Sequence, residues 1–145
     1  MLRCPPVCMM AWRIGDRLDL GTQVEWIQEA GFDGVGFHAA TGVPGSWQGL
    51  DPHRCDSAER RRWRHRLSAF RAVEIHAPFA LTLTGATPMP VVDALAPVLA
   101  FAGDLGSAVV TVHAEVPPVS VLPEAWRSAL HRLDALARQN SLRVG

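Results

Sequence analysis

Three histidines, each at the end of a short apolar segment, are the strongest chemical signal in this sequence. His38 and His76 are 38 positions apart, and His76 and His113 are 37 apart. The segments that they close are residues 33–38, 73–76 and 109–113. An imidazole can ligate a metal, transfer a proton or hydrogen-bond to a substrate hydroxyl. The regular spacing predicts a repeated unit that carries all three rings to one end of the molecule.

Helices are predicted between these segments, because apolar residues there recur at three- and four-residue intervals. The four sets are Leu20, Val24 and Ile27; Trp63, Leu67 and Phe70; Leu95, Leu99, Ala102 and Leu105; and Trp126, Leu130, Leu133 and Ala137. Gly31 and Gly106 are typical stops after the first and third helices. Pro97 predicts a kink or a late start in the third helix, and Pro123 suits the first turn of the fourth.

Two further strands are predicted, one at residues 7–12 and one that begins within residues 141–145. The order is then β-α-β-α-β-α-β-α-β, which predicts an α/β protein with parallel strands and right-handed crossovers. A complete (β/α)8 TIM barrel needs about 250 residues, so a chain of 145 residues holds roughly four and a half of its eight units. We therefore expect a single domain over residues 1–145, a partial (β/α)8 barrel that corresponds to the amino-terminal half.

Sequence parity predicts which side chains share the barrel interior, because strand residues alternate between two faces. On this basis His38, His76 and His113 occupy the last inward position of their strands, at the carboxyl ends where barrels carry their active sites. Glu74 and Thr111 point inward one layer deeper. The alternative is structural: each imidazole caps a strand end, and Glu74 pairs with an arginine or bonds to Thr111.

Three stretches of the sequence, QVEWIQEAGFDGVGFH, VEIHAPFALTL and LGSAVVTVHAE, resemble the xylose isomerase-like barrel superfamily. That superfamily includes sugar-phosphate isomerases and epimerases and the class II AP endonucleases. The most specific pieces are the run HAPF that begins at His76, and Leu105-Gly106 followed by Val112-His113. The likeness extends over nearly the whole chain, and it rests on the order and spacing of the pieces together.

The resemblance implies a divalent-metal site for Mn²⁺, Mg²⁺, Co²⁺ or Zn²⁺ at the carboxyl face of the barrel, and no organic cofactor. In the endonuclease branch, the residues matching His76 and His113 are metal ligands. In the isomerase and epimerase branch, carboxylates and a histidine of strands five to eight hold the metal. His76 and His113 would then line the sugar pocket, with His38 beside them. The fifth-strand glutamate of the family, expected just after SLRVG, is missing here together with the later ligands.

The first functional hypothesis is therefore a sugar phosphate isomerase/epimerase-like protein. It would assist proton transfer next to a sugar carbonyl with a metal ion, and it would be incomplete as a catalyst by itself. The expected partner is a small-molecule sugar or sugar phosphate, and the open first and last strands favour a homodimer of half-barrels. The alternatives are a catalytically inactive truncated barrel or interaction module, and an AP endonuclease-like metal-dependent phosphodiesterase.

Composition bears on these alternatives. A hydrophobic fraction of 48% with 19% charged residues excludes a disordered chain. No apolar stretch approaches the roughly 18 residues that span a bilayer, so we expect a soluble, cytoplasmic protein. A formal net charge of zero is untypical of a nucleic-acid-binding domain. The run RRRWRHR at 60–66 is accordingly predicted to be a solvated helix face, with contact to a phosphate backbone as its alternative.

Overall fold

Five strands alternate with four helices in the computed structural model, which describes residues 6–11, 14, 17–43, 45–115 and 120–145. The strands are β1 Cys8–Met10, β2 Gly34–His38, β3 Ala72–His76, β4 Val109–Thr111 and β5 Arg143–Val144. The helices are α1 Leu20–Glu29, α2 Ser57–Leu67, α3 Met89–Leu105 and α4 Glu124–Gln139. A single 3-10 turn, Phe79–Leu81, follows β3. This order of elements confirms the order predicted from the sequence.

The five strands form one parallel sheet in which the spatial order β1-β2-β3-β4-β5 is also the order along the chain. The register aligns His38 with His76 and Thr111 at the carboxyl edge. One layer deeper, Glu74 lies between Gly36 and Val109. The register therefore places the inward residues of neighbouring strands in layers, as in a barrel wall.

The two faces of the sheet differ in how they are covered. On the outer face, the apolar strand residues pack against the helices and are fully buried; they include Val35, Phe37, Ile75 and Val110. The helix residues that cover them include Leu95, Leu99 and Trp126, and Trp126 also donates its indole N–H to the Gly85 carbonyl over 2.9 Å. On the inner face, Glu74, His76 and Thr111 are only half-buried. The core thus lies between sheet and helices, and the inner face is open.

Glycines on β2 make room for side chains of β1. A Cβ atom at Gly36 would collide with the Met10 sulfur, and one at Gly34 would collide with the Cys8 sulfur. Both sulfur-bearing side chains therefore lie across the inner surface of β2. The space left by these glycines is filled by the neighbouring strand.

The helix ends follow from local chemistry. Asp19 and Asp56 are the N-caps of α1 and α2, and their carboxylates accept backbone N–H groups of the first turns. Gly106 ends α3 in the left-handed conformation, with φ of 76°. The predicted late start of α3 at Pro97 is wrong, because the helix runs from Met89 through that proline to Leu105.

Three sequence-based predictions of local structure need correction or fall outside the described residues. His113 does not lie on a strand, because β4 ends at Thr111, two residues earlier. Leu130, predicted to lie on the buried face of α4, is 40% exposed. Trp12, expected at the end of the first strand, lies outside the described residues. In the described chain, no helix combines the length and the apolar character needed to cross a membrane.

Candidate functional site

The three predicted histidines meet at the carboxyl edge of the sheet. His38 ends β2 and His76 ends β3, so the two residues are direct neighbours in the register, and their ring centroids are 4.4 Å apart. His113 follows β4, and its ring centroid lies 4.8 Å from that of His76. Residues 111 and 113 lie on the same side of the chain because strand side chains alternate. His113 therefore approaches His76 even though β4 has already ended. The structure thus brings all three rings together.

Phe79 completes this group of rings. It is 54% exposed, and its ring centroid lies 4.6 Å from that of His113, 5.2 Å from that of His76 and 5.3 Å from that of His38. The ring of Phe79 is stacked on that of His113 with an interplanar angle of 23°. We term these four residues the histidine cluster. Trp47, in the loop after β2, borders it at 5.3 Å from the His38 ring.

Sequence reasoning assigned no role to Phe79 or Trp47. The available signal for Phe79 was the run HAPF, which places an aromatic residue just past the carboxyl end of a strand. Trp47 had no comparable signal, because its approach to His38 depends on the path of a long loop. An aromatic wall beside a few polar groups is typical of small-molecule sites.

Hydrogen bonding distinguishes the ring nitrogens of His76 and His113. The Nδ1 atom of His76 lies 3.0 Å from the Ala77 carbonyl, an acceptor, so that nitrogen is assigned the proton and Nε2 is left with its lone pair. The Nε2 atom of His113 is buried and has no hydrogen-bond partner in the ranges that the structure describes. Both rings therefore have a nitrogen that can serve a ligand.

The electrostatics of the cluster keep His38 neutral. Burial lowers the pKa of His38, and the neighbouring imidazoles of His76 and His113 lower it further, to about 4. His38 is only 2% exposed. At neutral pH this ring therefore acts through hydrogen bonds and packing and carries no positive charge.

Glu74 makes one of the two contacts that the sequence allowed as a structural explanation. The Thr111 hydroxyl donates to its Oε1 atom over 2.6 Å. Both side chains lie on the inner face: Glu74 is one layer below His76, whereas Thr111 is level with His76 in the register. Among the described strands, Glu74 is the one carboxylate on that face.

A divalent metal needs more ligands than the histidine cluster offers. Among the described residues, no group of three or more His, Cys, Asp or Glu side chains is placed to hold a metal ion. The free nitrogens of His76 and His113 have suitable chemistry, but two neutral ligands fall short of the three that a catalytic zinc requires. The described residues do not form a metal site by themselves, and the metal at His76 and His113 stays a prediction.

Two arginines of the arginine-rich helix α2 form ion pairs with neighbouring helices. Arg60 pairs with Asp104 at 2.7 Å, and Arg66 pairs with Glu25 at 3.2 Å. Arg60 also donates to the carbonyls of residues 52 and 55. These contacts tie α2 to α1 and α3, whereas the side chains of residues 61, 62 and 65 are exposed. Whether this run contacts a phosphate backbone stays a prediction.

Comparison with known proteins gives matches among solved structures, whereas no family model and no curated protein matches the chain. A xylose isomerase domain protein from Planctomyces limnophilus superposes with a TM-score of 0.63 at 16% identity. A D-psicose 3-epimerase from Clostridium cellulolyticum H10, solved with D-tagatose, gives 0.66 at 8% identity. A D-allulose 3-epimerase from a Methylomonas species gives 0.58 at 18% identity.

These matches show the fold. They cover 96–97% of this chain but only 50–51% of the solved chains, so the chain spans about half the length of the structures that it matches. The chain has the fold of half of a xylose isomerase-like (β/α)8 barrel, which confirms the predicted fold class and the resemblance. Its assignment to the amino-terminal half stays a prediction.

Proposed function

We propose that the histidine cluster binds a sugar or a sugar phosphate, as the binding half of an isomerase or epimerase. The observation that carries the proposal is the buried Nε2 atom of His113, which has no hydrogen-bond partner among the described residues. A buried polar atom costs free energy unless it is hydrogen-bonded. A ligand hydroxyl at this atom would remove that cost.

The mixture of groups in the cluster supports a sugar in particular. A sugar presents hydroxyls at its edge and C–H groups on its ring face. Phe79 offers an exposed phenyl ring for the C–H face, while His76 and His113 offer nitrogens for the hydroxyls. His38, held neutral by burial, packs against His76 and fixes the position of its ring.

Isomerases and epimerases of sugars move a proton at the carbon next to a carbonyl. In this proposal His76 and His113 orient the substrate by its hydroxyls, and Phe79 keeps water from one side of it. The inner carboxylate, Glu74, is engaged by Thr111. The groups that take up and return the proton would therefore come from outside the described inner face.

Calorimetric titration tests the proposal. D-tagatose and D-allulose, the sugars in two matched structures, are the first probes, and a ketohexose phosphate is the third. We expect H76A and H113A to weaken binding at least about tenfold, since each removes a hydrogen bond inside a buried site. The matched control is H65A, at an exposed histidine of α2. Absence of binding to all three probes, or equal affinity in H113A and wild type, would contradict the proposal.

The metal prediction has a separate test. Native mass spectrometry with added Mn²⁺ or Zn²⁺ shows whether the chain retains one ion per molecule. Loss of that ion in both H76A and H113A, with retention in H65A, would support these two ligands. Retention of the ion in all three variants would place the metal elsewhere.

A further inference from the structure

One carboxylate lies just beyond the histidine cluster. Glu115 follows His113 by two residues, in the segment after β4. The Leu83 N–H donates to the His113 carbonyl over 2.9 Å, and the Glu115 N–H donates to the Leu83 carbonyl over 2.8 Å. These two bonds make a parallel bridge between Leu83 and Ala114. The segment 113–115 is therefore extended and has a neighbour of its own, although β4 ends at Thr111.

This bridge determines the direction of the Glu115 side chain. Leu83 is fully buried in the core between sheet and helices, and Ala114 is its partner in the bridge. Side chains alternate along an extended segment, so the residues that follow this pair, Thr84 and Glu115, face the other side. His113 faces that side for the same reason. The Glu115 carboxylate therefore lies on the side of the histidine rings, about 6.6 Å further along the segment than His113.

Thr84 holds this carboxylate in place. Its hydroxyl donates to the Oε2 atom of Glu115 over 3.0 Å. The next residue, Gly85, is anchored in turn, because its carbonyl accepts the indole N–H of Trp126 over 2.9 Å. Among the described residues, the Oε1 atom of Glu115 has no hydrogen-bond partner. The loop after β3 thus positions one oxygen of the carboxylate, and the other oxygen is available to a ligand.

The chemistry of a carboxylate selects its ligand. A carboxylate accepts hydrogen bonds and donates none, so it suits the hydroxyls of a sugar. A hydrogen bond to a charged acceptor is also stronger than one to a neutral acceptor. The same negative charge repels a phosphate group that comes close to it. Among the described residues, the side chains beside Glu115 on this side are imidazole, phenyl and hydroxyl groups, and none of them is a guanidinium that could bind a phosphate.

We propose that Glu115 is a specificity-determining residue of the sugar site: it binds sugar hydroxyls and excludes a phosphate group, so that the site takes unphosphorylated sugars. This inference rests on the proposed function, because it concerns the same ligand at the same site. His76 and His113 bind the sugar whether or not it carries a phosphate, whereas Glu115 discriminates between the two forms. A purely structural Glu115 would tie the loop after β3 to the segment after β4 and leave the choice of ligand unchanged.

Calorimetric titration with D-tagatose and its 1- and 6-phosphates tests the proposal, because these three ligands differ only in the phosphate group. We expect wild type to bind the free sugar at least about tenfold more tightly than one of the phosphates, the one whose phosphate meets Glu115. E115Q keeps an oxygen for the Thr84 hydroxyl but has no charge. In E115Q this preference should fall below about threefold, through a gain in affinity for the phosphate. The control E29Q removes a charge at the opposite end of α1 and should keep the wild-type preference.

Two further measurements separate the charge of Glu115 from its structural contact. T84V removes the hydroxyl donor but keeps the carboxylate. It should weaken binding of the free sugar and retain the preference for it over the phosphate. Raising the salt concentration to about 1 M shortens the Debye length to about 3 Å. The preference should then decrease in wild type and stay unchanged in E115Q.

The outcomes distinguish this inference from the proposed function. If wild type binds none of the three ligands, the inference is overturned, and the proposed function with it unless D-allulose binds. If wild type binds both phosphates as tightly as the free sugar, or if E115Q keeps the wild-type preference, Glu115 does not determine specificity and the sugar site stands. A loss of preference in T84V as complete as that in E115Q would also overturn the inference, because the loop contact would then set the preference.

Discussion

Acid should destabilise this protein through His38 in a pH range where its carboxylates still have little effect. Folding lowers the pKa of this imidazole from 6.5 to about 4, because the ring is buried beside two other imidazoles. Between these values the unfolded chain binds a proton that the folded chain does not bind. Stability therefore falls as the pH falls through this range. The difference between the pKa values of 6.5 in the unfolded chain and about 4 in the folded chain corresponds to about 3 kcal/mol in the free energy of unfolding. About 2 kcal/mol of this is lost by pH 5.

Urea unfolding at several pH values between 7 and 4 measures this loss. Domains of this size are stable by about 5–15 kcal/mol, so a loss of 3 kcal/mol is a large fraction. The H38Q variant replaces the imidazole with an amide that does not titrate, and H65Q is the control at an exposed histidine. The free energy of unfolding should depend less on pH in H38Q than in wild type, whereas H65Q should behave like wild type. If the free energy of unfolding changes with pH equally in wild type and H38Q between pH 6.5 and 4, the argument that burial keeps His38 neutral is refuted.

Three further predictions concern stability, each measured by urea unfolding at pH 7. D56A removes the carboxylate that caps α2 by accepting the Glu59 N–H, and should cost about 1 kcal/mol; an unchanged midpoint would contradict the cap. G106A should cost about 1 kcal/mol, because φ is 76° there although a methyl group has room; a stabilised variant would contradict this. T111V leaves Glu74 without its hydroxyl donor and should lower the free energy of unfolding by about 1–2 kcal/mol. T111S keeps a hydroxyl and should retain most of the wild-type stability.

Sequence periodicity predicted the parts of the fold that depend on local alternation. Parity placed His38 and His76 on one face, and the register confirms that they are neighbours at the carboxyl edge. Parity was less reliable for His113, because β4 ends at Thr111 and a strand boundary depends on pairing with its neighbours. The ring of His113 nevertheless joins the others, since backbone hydrogen bonds from Val112 N–H to the Gly145 carbonyl and from Leu83 N–H to the His113 carbonyl hold the segment after β4.

The structural features that the sequence did not predict depend on which elements pack beside a given helix or strand. The spacing of Leu130 predicts that it is on the buried side of α4, but it is 40% exposed, because spacing along one helix does not show how far the neighbouring elements reach around it. Phe79 joins the histidines because a 3-10 turn bends the chain back over β3, and periodicity carries no information about such a turn. Pro97 was expected either to kink α3 or to delay its start. The delay is wrong, because Leu95 and Leu99 are buried on either side of Pro97 within one continuous helix.

The agreement between strand order and chain order bears on how this protein folds. Among the five described strands, none has to enter between two that are already paired, because each new strand joins the edge left by the one before it. Partners in the sheet are separated by similar stretches of chain, each holding one helix that can form first. The entropic cost of closing each loop is therefore about the same from unit to unit. These units can therefore assemble one at a time as the chain leaves the ribosome, each on the edge left by the unit before it.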